Sequence, residues 1–89
     1  MYHYLDIISL SEFEQILLLY DMILDRKDAL KLLLFLRHNR SHIDELHQVW
    51  QIAQHLIDLT HHHISYEQAL DLIIYFHWQK KQIPVLLKI

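Results

Sequence analysis

The sequence predicts an all-α protein, a compact antiparallel four-helix bundle formed by a single domain over residues 1–89. Hydrophobic residues make up 53% of the chain, and leucine and isoleucine supply most of them, whereas valine occurs only at Val49 and Val85. Leucine-rich, valine-poor sequences favour helix over strand. Four helix-start signals are separated by short connections, and short connections favour antiparallel neighbours.

Each predicted helix begins at a short polar side chain that can cap it. Ser11 with Glu14 and Ser65 with Gln68 fit the capping box, in which each side chain accepts from the other residue's backbone N–H. Ser41 with Asp44 is a weaker version, and Asp25 with Asp28 can also start a helix. Asn39 and Pro84 are plausible stops for the second and fourth helices. The pairs are Ser11–Glu14, Asp25–Asp28, Ser41–Asp44 and Ser65–Gln68, and the helices they predict are 12–24, 26–38, 42–60 and 66–82.

The junction between the first two helices has two interpretations. The first helix centres its apolar face on Phe13 and Leu17, and the second on Ala29 and Leu33. At 100° per residue these faces would point about 180° apart if one helix ran through both. A turn at 25–28 lets both faces meet one core and is the preferred interpretation. The alternative is one long helix inside a dimer.

The last two helices and the chain ends complete the prediction. The third helix is expected to bury a stripe at spacings of three and four residues, and the fourth a similar one. The terminal segments 2–8 and 83–89 are apolar, and they either pair as short strands or cover the bundle ends. The stripes are Ile43, Leu46, Trp50, Ala53 and Ile57, then Tyr66, Ala69, Leu70, Ile73, Phe76 and His77.

The composition argues against catalysis and against a cofactor. Phosphate-binding loops, nucleophile elbows and dinucleotide fingerprints depend on glycine, and the chain has none. It has no cysteine either, which excludes disulfides and thiolate sites. The serines are explained as helix caps. We therefore expect no enzyme, no catalytic residues and no cofactor.

The nine histidines do not predict a metal site. No His-Glu-x-x-His motif occurs, and the pairs spaced for one helix face are interrupted by expected helix ends. Histidines near helix C-termini instead complement the helix dipole. We expect no metal ligand among them.

A basic turn gives the alternative function, a transcriptional regulator that binds nucleic acid. The segment 37–42 contains Arg37 and Arg40, and Lys80 and Lys81 lie in the last turn of the predicted fourth helix. Against this, the formal net charge is −3, and a helix-turn-helix arrangement would turn aspartates of the third helix toward phosphate. Nucleic acid is therefore the less favoured partner.

Apolar residues outside the core stripes point to a protein partner. Exposed tryptophan, tyrosine and methionine are typical interface anchors. The competing interpretation is that the helix phases are slightly misplaced and these residues are core. We expect a non-enzymatic interaction module, a small regulator or inhibitor, that forms a homodimer. The residues concerned are Leu18, Met22, Leu34, Ile74, Tyr75 and Trp78.

The sequence gives no sign of a membrane protein. Its longest uninterrupted apolar run, 32–36, falls far short of the roughly 18 residues a span needs. The first residues lack the basic and apolar regions of a signal peptide. We therefore expect a cytoplasmic protein with no membrane partner.

Overall fold

The computed structural model describes residues 4–79, and all regular structure within that range is helical. Helix accounts for 75% of it, so the all-α class is confirmed. Six helices lie in this range, where four were predicted, because two short ones occur in addition to the long ones. They are α1 (Tyr4–Ile7), α2 (Leu10–Leu19), α3 (Arg26–His38), α4 (Arg40–Asp44), α5 (Val49–Leu59) and α6 (Tyr66–Gln79).

The start of α2 lies two residues before the predicted one. Ser9, not Ser11, is the N-cap: its Oγ accepts from the N–H of Glu12 at 3.1 Å, and Oε1 of Glu12 accepts from the N–H of Ser9 at 2.9 Å. The earlier start places Ile8 and Phe13, both buried, at the two positions of a hydrophobic staple. Packing therefore selected between two capping boxes that look equivalent in sequence.

Of the other three predicted starts of long helices, two are confirmed and one is wrong. Asp25 caps α3, with Oδ1 accepting from the N–H of Asp28 at 2.8 Å. Ser65 and Gln68 form the predicted capping box before α6. Ser41 is not a cap, because α4 begins at Arg40, two residues before the predicted start, and its N-cap Asn39 makes no side-chain capping bond.

Three helices end in the same way, with a Schellman motif. In this motif the second residue past the helix cap donates to a carbonyl five residues back, and the residue before it adopts a left-handed conformation that normally favours glycine. Because the chain has no glycine, other residues take that position. They are Asp21 (φ 60°) after α2, Leu46 (φ 51°) after α4 and His61 (φ 54°) after α5.

The predicted third helix, 42–60, is wrong as one element. Helix α4 ends at Asp44, the chain turns through 45–48, and α5 begins at Val49. The reason is the Schellman motif after α4, in which the N–H of His47 donates to the carbonyl of His42 at 2.8 Å. The turn changes the helix phase, so Leu46 and Trp50, which were predicted to be buried, are exposed.

The single long helix is wrong, and a turn does separate α2 from α3, but it lies at residues 20–25 and not at the predicted 25–28. Residues 20–25 are non-helical, and buried Leu17 and Leu33 contribute to one hydrophobic core. At the centre of that core Phe76 packs on Phe13, with ring centroids 5.8 Å apart, and on Tyr4. α6 packs most extensively on α5 and also on α4 and α1, whereas α3 packs on α2, α1, α4 and α5.

The chain is an all-helical globule with a Cα radius of gyration of 12.4 Å. The antiparallel four-helix bundle stays a prediction, because α1 and α4 lie between the long helices in the packing. Of the two alternatives for the terminal segments, a strand is wrong over residues 4–7, which form α1, and the carboxy-terminal segment 83–89 lies outside the described residues. No helix between residues 4 and 79 combines the length and apolar character needed to cross a bilayer.

Candidate functional site

An exposed aromatic pair joins the beginning of α5 to the beginning of α6. The indole of Trp50 stacks on the ring of Tyr66, with centroids 5.6 Å apart and planes inclined by 19°. The Tyr66 hydroxyl also donates to the Trp50 carbonyl at 3.0 Å. The stack holds the Trp50 ring against the surface even though 66% of this residue is exposed to solvent.

Tyr66 continues as a line of apolar residues along the outside of α6. Leu70, Ile74 and Trp78 follow it at intervals of four residues, which places consecutive side chains beside each other on the helix surface. Ile74 is 43% exposed and Trp78 is 54% exposed, whereas Tyr66 and Leu70 are half-buried. We call Trp50, Tyr66, Leu70, Ile74 and Trp78 the α6 ridge.

The core side of α6 explains why the ridge faces outward. Ala69, Leu72, Ile73 and Phe76 are fully buried, whereas Ile74 and Trp78 lie on the far side of the helix and are exposed. The ridge therefore runs from Tyr66 and Leu70, at the edge of the buried face, to Ile74 and Trp78 on the exposed face. A line of this kind forms a continuous apolar strip, unlike the single exposed leucines found on most protein surfaces.

Acidic side chains flank the ridge. Glu67 and Asp71 are one helical turn apart on α6, on the solvent side next to Leu70 and Ile74. Between residues 41 and 79 the sequence has five carboxylates and no lysine or arginine. The part of the chain that carries the ridge is therefore negatively charged at neutral pH when its histidines are neutral.

Four of the six predicted interface residues are exposed. Ile74 and Trp78 lie one turn apart in the ridge, as the helix period predicted, while Leu18 lies on α2 and Leu34 on α3. The structure thus places these four side chains at the surface on three helices. Their binding of a partner stays a prediction.

Met22 is not exposed, which corrects the prediction that it is a surface anchor. It is only 2% exposed because α2 ends at Leu19 instead of continuing to residue 24. In the Schellman motif that follows, the N–H of Met22 donates to the carbonyl of Leu17 at 3.0 Å, and the side chain turns into the core.

Tyr75 is half-buried and packs within the chain. Its ring meets Tyr20 edge to face, with centroids 6.1 Å apart, and also contacts Phe76. Burial raises the pKa of Tyr75, and the neighbouring Tyr4 raises it further. Tyr75 therefore supports the position of α6 against α2 and offers less surface than Ile74 or Trp78.

Three residues of the α6 ridge, Tyr66, Leu70 and Trp50, were predicted to be buried; Tyr66 and Leu70 are half-buried, and Trp50 is 66% exposed. A continuous helix over 42–60 places it in line with Ile43 and Ala53, both of which are buried. Only the turn at 45–48 rotates it outward, and no glycine or proline marks that turn. No local feature of the sequence therefore predicts that Trp50 lies at the surface.

The residues of the predicted basic turn make contacts inside the chain. Arg37 donates from Nε to the carbonyl of Leu5 at 2.7 Å and from a terminal nitrogen to the carbonyl of Ile8 at 2.9 Å. Arg40 lies 3.5 Å from the carboxylate of Asp6. These contacts fasten α1 to the end of α3 and to α4. Lys80 and Lys81 lie outside the described residues.

Histidine contacts are pairwise. Nδ1 of His42 lies 3.3 Å from Nδ1 of His47 across the turn after α4, and Nδ1 of His77 lies 3.0 Å from the carbonyl oxygen of Ile43. His62 lies 3.9 Å from Asp58. Among residues 4–79, no three or more histidine, aspartate or glutamate side chains gather in a group that could hold a metal ion.

No protein-family model, no curated protein and no solved structure matches this chain.

Proposed function

We propose that the chain is a non-enzymatic protein-interaction module, a small helical regulator or inhibitor that acts through exposed apolar helix faces and forms a homodimer. The observation that carries the proposal is the α6 ridge. Two tryptophans, Trp50 and Trp78, are more than half exposed on one continuous apolar strip. Removing such a strip from water favours association.

The residue types of the ridge suit a binding surface. Tryptophan and tyrosine are enriched among the residues that contribute most to protein–protein binding energy, whereas leucine is not. The stack on Tyr66 and its hydroxyl bond to the carbonyl of Trp50 already order this part of the surface. Groups ordered before binding lose less conformational entropy when a partner arrives.

A second copy of the chain is the partner we favour. Closed twofold dimers are the commonest oligomers of soluble proteins, and in them the same patch of each subunit contacts its counterpart. A domain of this size has little core from which to draw stability, so burying the ridge between two copies would also stabilise the fold.

The first experiment is light scattering of the purified protein over a hundredfold concentration range. We expect the native protein to have the mass of a dimer. The double variant Ile74→Asp with Trp78→Asp should stay helical by circular dichroism but have the mass of a monomer, because it places two charges in the ridge.

Ile23→Asp is the matched control. Ile23 is 84% exposed in the turn between α2 and α3 and does not belong to the ridge, so this variant should stay dimeric. A native protein that is monomeric at every concentration would refute the homodimer. Unfolding of the double variant would instead show that Ile74 and Trp78 stabilise the core, which removes the basis of the proposal.

A further inference from the structure

We infer that two copies of the chain pack through the α6 ridge with their α6 helices antiparallel and the twofold axis passing beside Ile74. This inference rests on the proposed homodimer and adds to it the surface, the orientation and the register. It uses the exposed side of α6 and the distribution of charge along that helix.

The spacing of the ridge residues makes the strip complementary to itself. Leu70 and Trp78 lie four residues before and after Ile74. With antiparallel helices and an axis at Ile74, the two Ile74 side chains face each other and Leu70 of each copy faces Trp78 of the other. The half-buried leucine of each copy thus meets the larger, exposed tryptophan of the other. Such an alternation of side-chain size lets two surfaces interdigitate.

The charge on α6 selects the antiparallel orientation. In a parallel pair, Glu67 and Asp71 of one copy would lie beside the same carboxylates of the other, and like charges repel. In the antiparallel pair the two Glu67 positions are separated along the helix axis by about 21 Å and the two Asp71 positions by about 9 Å, at 1.5 Å per residue. Separations near or beyond the Debye length of about 8 Å at physiological ionic strength are largely screened.

The outer side of α3 is a weaker candidate for the same contact. Leu30 and Leu34 are exposed there, one turn apart, but Lys27 and Lys31 accompany them and no aromatic side chain does. A twofold contact centred on this helix would bring lysines of the two copies together without an aromatic anchor. The α3 face therefore serves as the internal comparison for the test.

Disulfide trapping tests the surface, because the chain contains no cysteine of its own. Under mild oxidation at a concentration where the native protein is dimeric, Ile74→Cys should become a covalent dimer rapidly. Leu34→Cys and Ile23→Cys should not, although both positions are exposed. Each variant is first checked for helicity and mass, so that a misfolded protein is not scored.

A mixed reaction tests the orientation. Leu70→Cys mixed with Trp78→Cys should give mainly the mixed disulfide, because antiparallel helices bring these positions together. Glu67→Cys alone repeats the comparison without removing an apolar anchor, because the two copies of residue 67 lie about 21 Å apart in the antiparallel pair and side by side in a parallel one. Preferential disulfides between identical variants would indicate parallel helices and overturn the inference.

Two results distinguish failure of the α6 contact from failure of the homodimer itself. A dimer by light scattering that is trapped through Leu34→Cys and not through Ile74→Cys would leave the homodimer intact and overturn the α6 contact. A native protein that stays monomeric would overturn the homodimer, and the inference with it.

Discussion

The backbone N–H of Met22 donates to the carbonyl of Leu17 at 3.0 Å, and this bond reverses the chain at the end of α2. The same relationship joins His47 to His42 after α4 and His62 to Ile57 after α5. Each reversal requires a left-handed residue, and in a chain without glycine that residue carries a side chain. The protein therefore holds local backbone strain at three helix ends.

The left-handed positions predict that glycine stabilises this protein. A left-handed conformation costs a side-chain-bearing residue roughly 1–2 kcal/mol. Glycine avoids that cost but gives the unfolded chain more conformational entropy, which lowers the free energy of unfolding by about 0.4–1 kcal/mol. His61→Gly, at an exposed site, should therefore raise the free energy of unfolding by about 0.5–1 kcal/mol in urea denaturation.

Gln51→Gly provides the comparison for His61→Gly. Gln51 is exposed inside α5, where glycine should lower the free energy of unfolding by about 1 kcal/mol. If both variants lose stability to the same extent, the left-handed position carries no strain that glycine relieves.

Replacing Met22 should destabilise the fold. The side chain lies in the core beside residues of α2, so Met22→Ala removes buried surface and leaves a cavity. The expected loss is about 2–5 kcal/mol of unfolding free energy in chemical denaturation. Ile23→Ala, at the neighbouring exposed position, should change stability by less than about 0.5 kcal/mol. Equal effects of the two changes would contradict the burial of Met22.

Arg37 should act as a structural brace. Its planar guanidinium donates to two carbonyls, those of Leu5 and Ile8, and a lysine ammonium cannot reproduce that fork. Arg37→Lys should lower the free energy of unfolding by about 1–2 kcal/mol and speed hydrogen exchange of the α1 amides. Lys27→Ala, on the exposed side of α3, should leave both unchanged. Unaltered α1 exchange in Arg37→Lys would refute the brace.

The capping box of α2 should give a pH-dependent contribution to stability. The backbone N–H of Ser9, and then its hydroxyl, hold the pKa of Glu12 below its ordinary value. Because the folded pKa is the lower one, the contribution is complete above the unfolded pKa and is lost as pH falls through the folded pKa.

Glu12→Gln keeps an oxygen that can accept from Ser9 but removes the titration. The native protein should exceed this variant in unfolding free energy at pH 7, and the difference should shrink progressively as the pH is lowered from 5 to 3. Denaturation curves measured across that range would contradict the assignment if the difference stayed constant.

Local sequence was sufficient for the parts of the fold that depend on neighbours three or four residues apart. Asp25 and Ser65 were recognised as caps because the cap and its partner stand within one turn. The outward position of Ile74 and Trp78 followed from the helix period alone. These features need no information from distant residues.

The sequence could not predict the helix ends after α2 and α4. Nothing in the residues around Asp21 or Leu46 forbids helix, so Met22 was expected at the surface and Trp50 in the core, and both predictions are wrong. Each turn has a local free-energy cost, and it persists because the residues that follow it then pack against distant parts of the fold. The capping box at Ser9 was missed for a similar reason, since only the packing of α2 distinguishes it from Ser11 and Glu14.

By itself the sequence therefore determined the helical class, the caps of α3 and α6 and the exposure of Ile74 and Trp78, all of which follow from interactions within a few turns of helix. Tertiary structure decided where α2 and α4 stop, that Met22 is buried, and that Trp50 joins Tyr66 to extend the α6 ridge. The physical reason is that a left-handed residue other than glycine costs free energy locally, and only packing between distant segments offsets that cost.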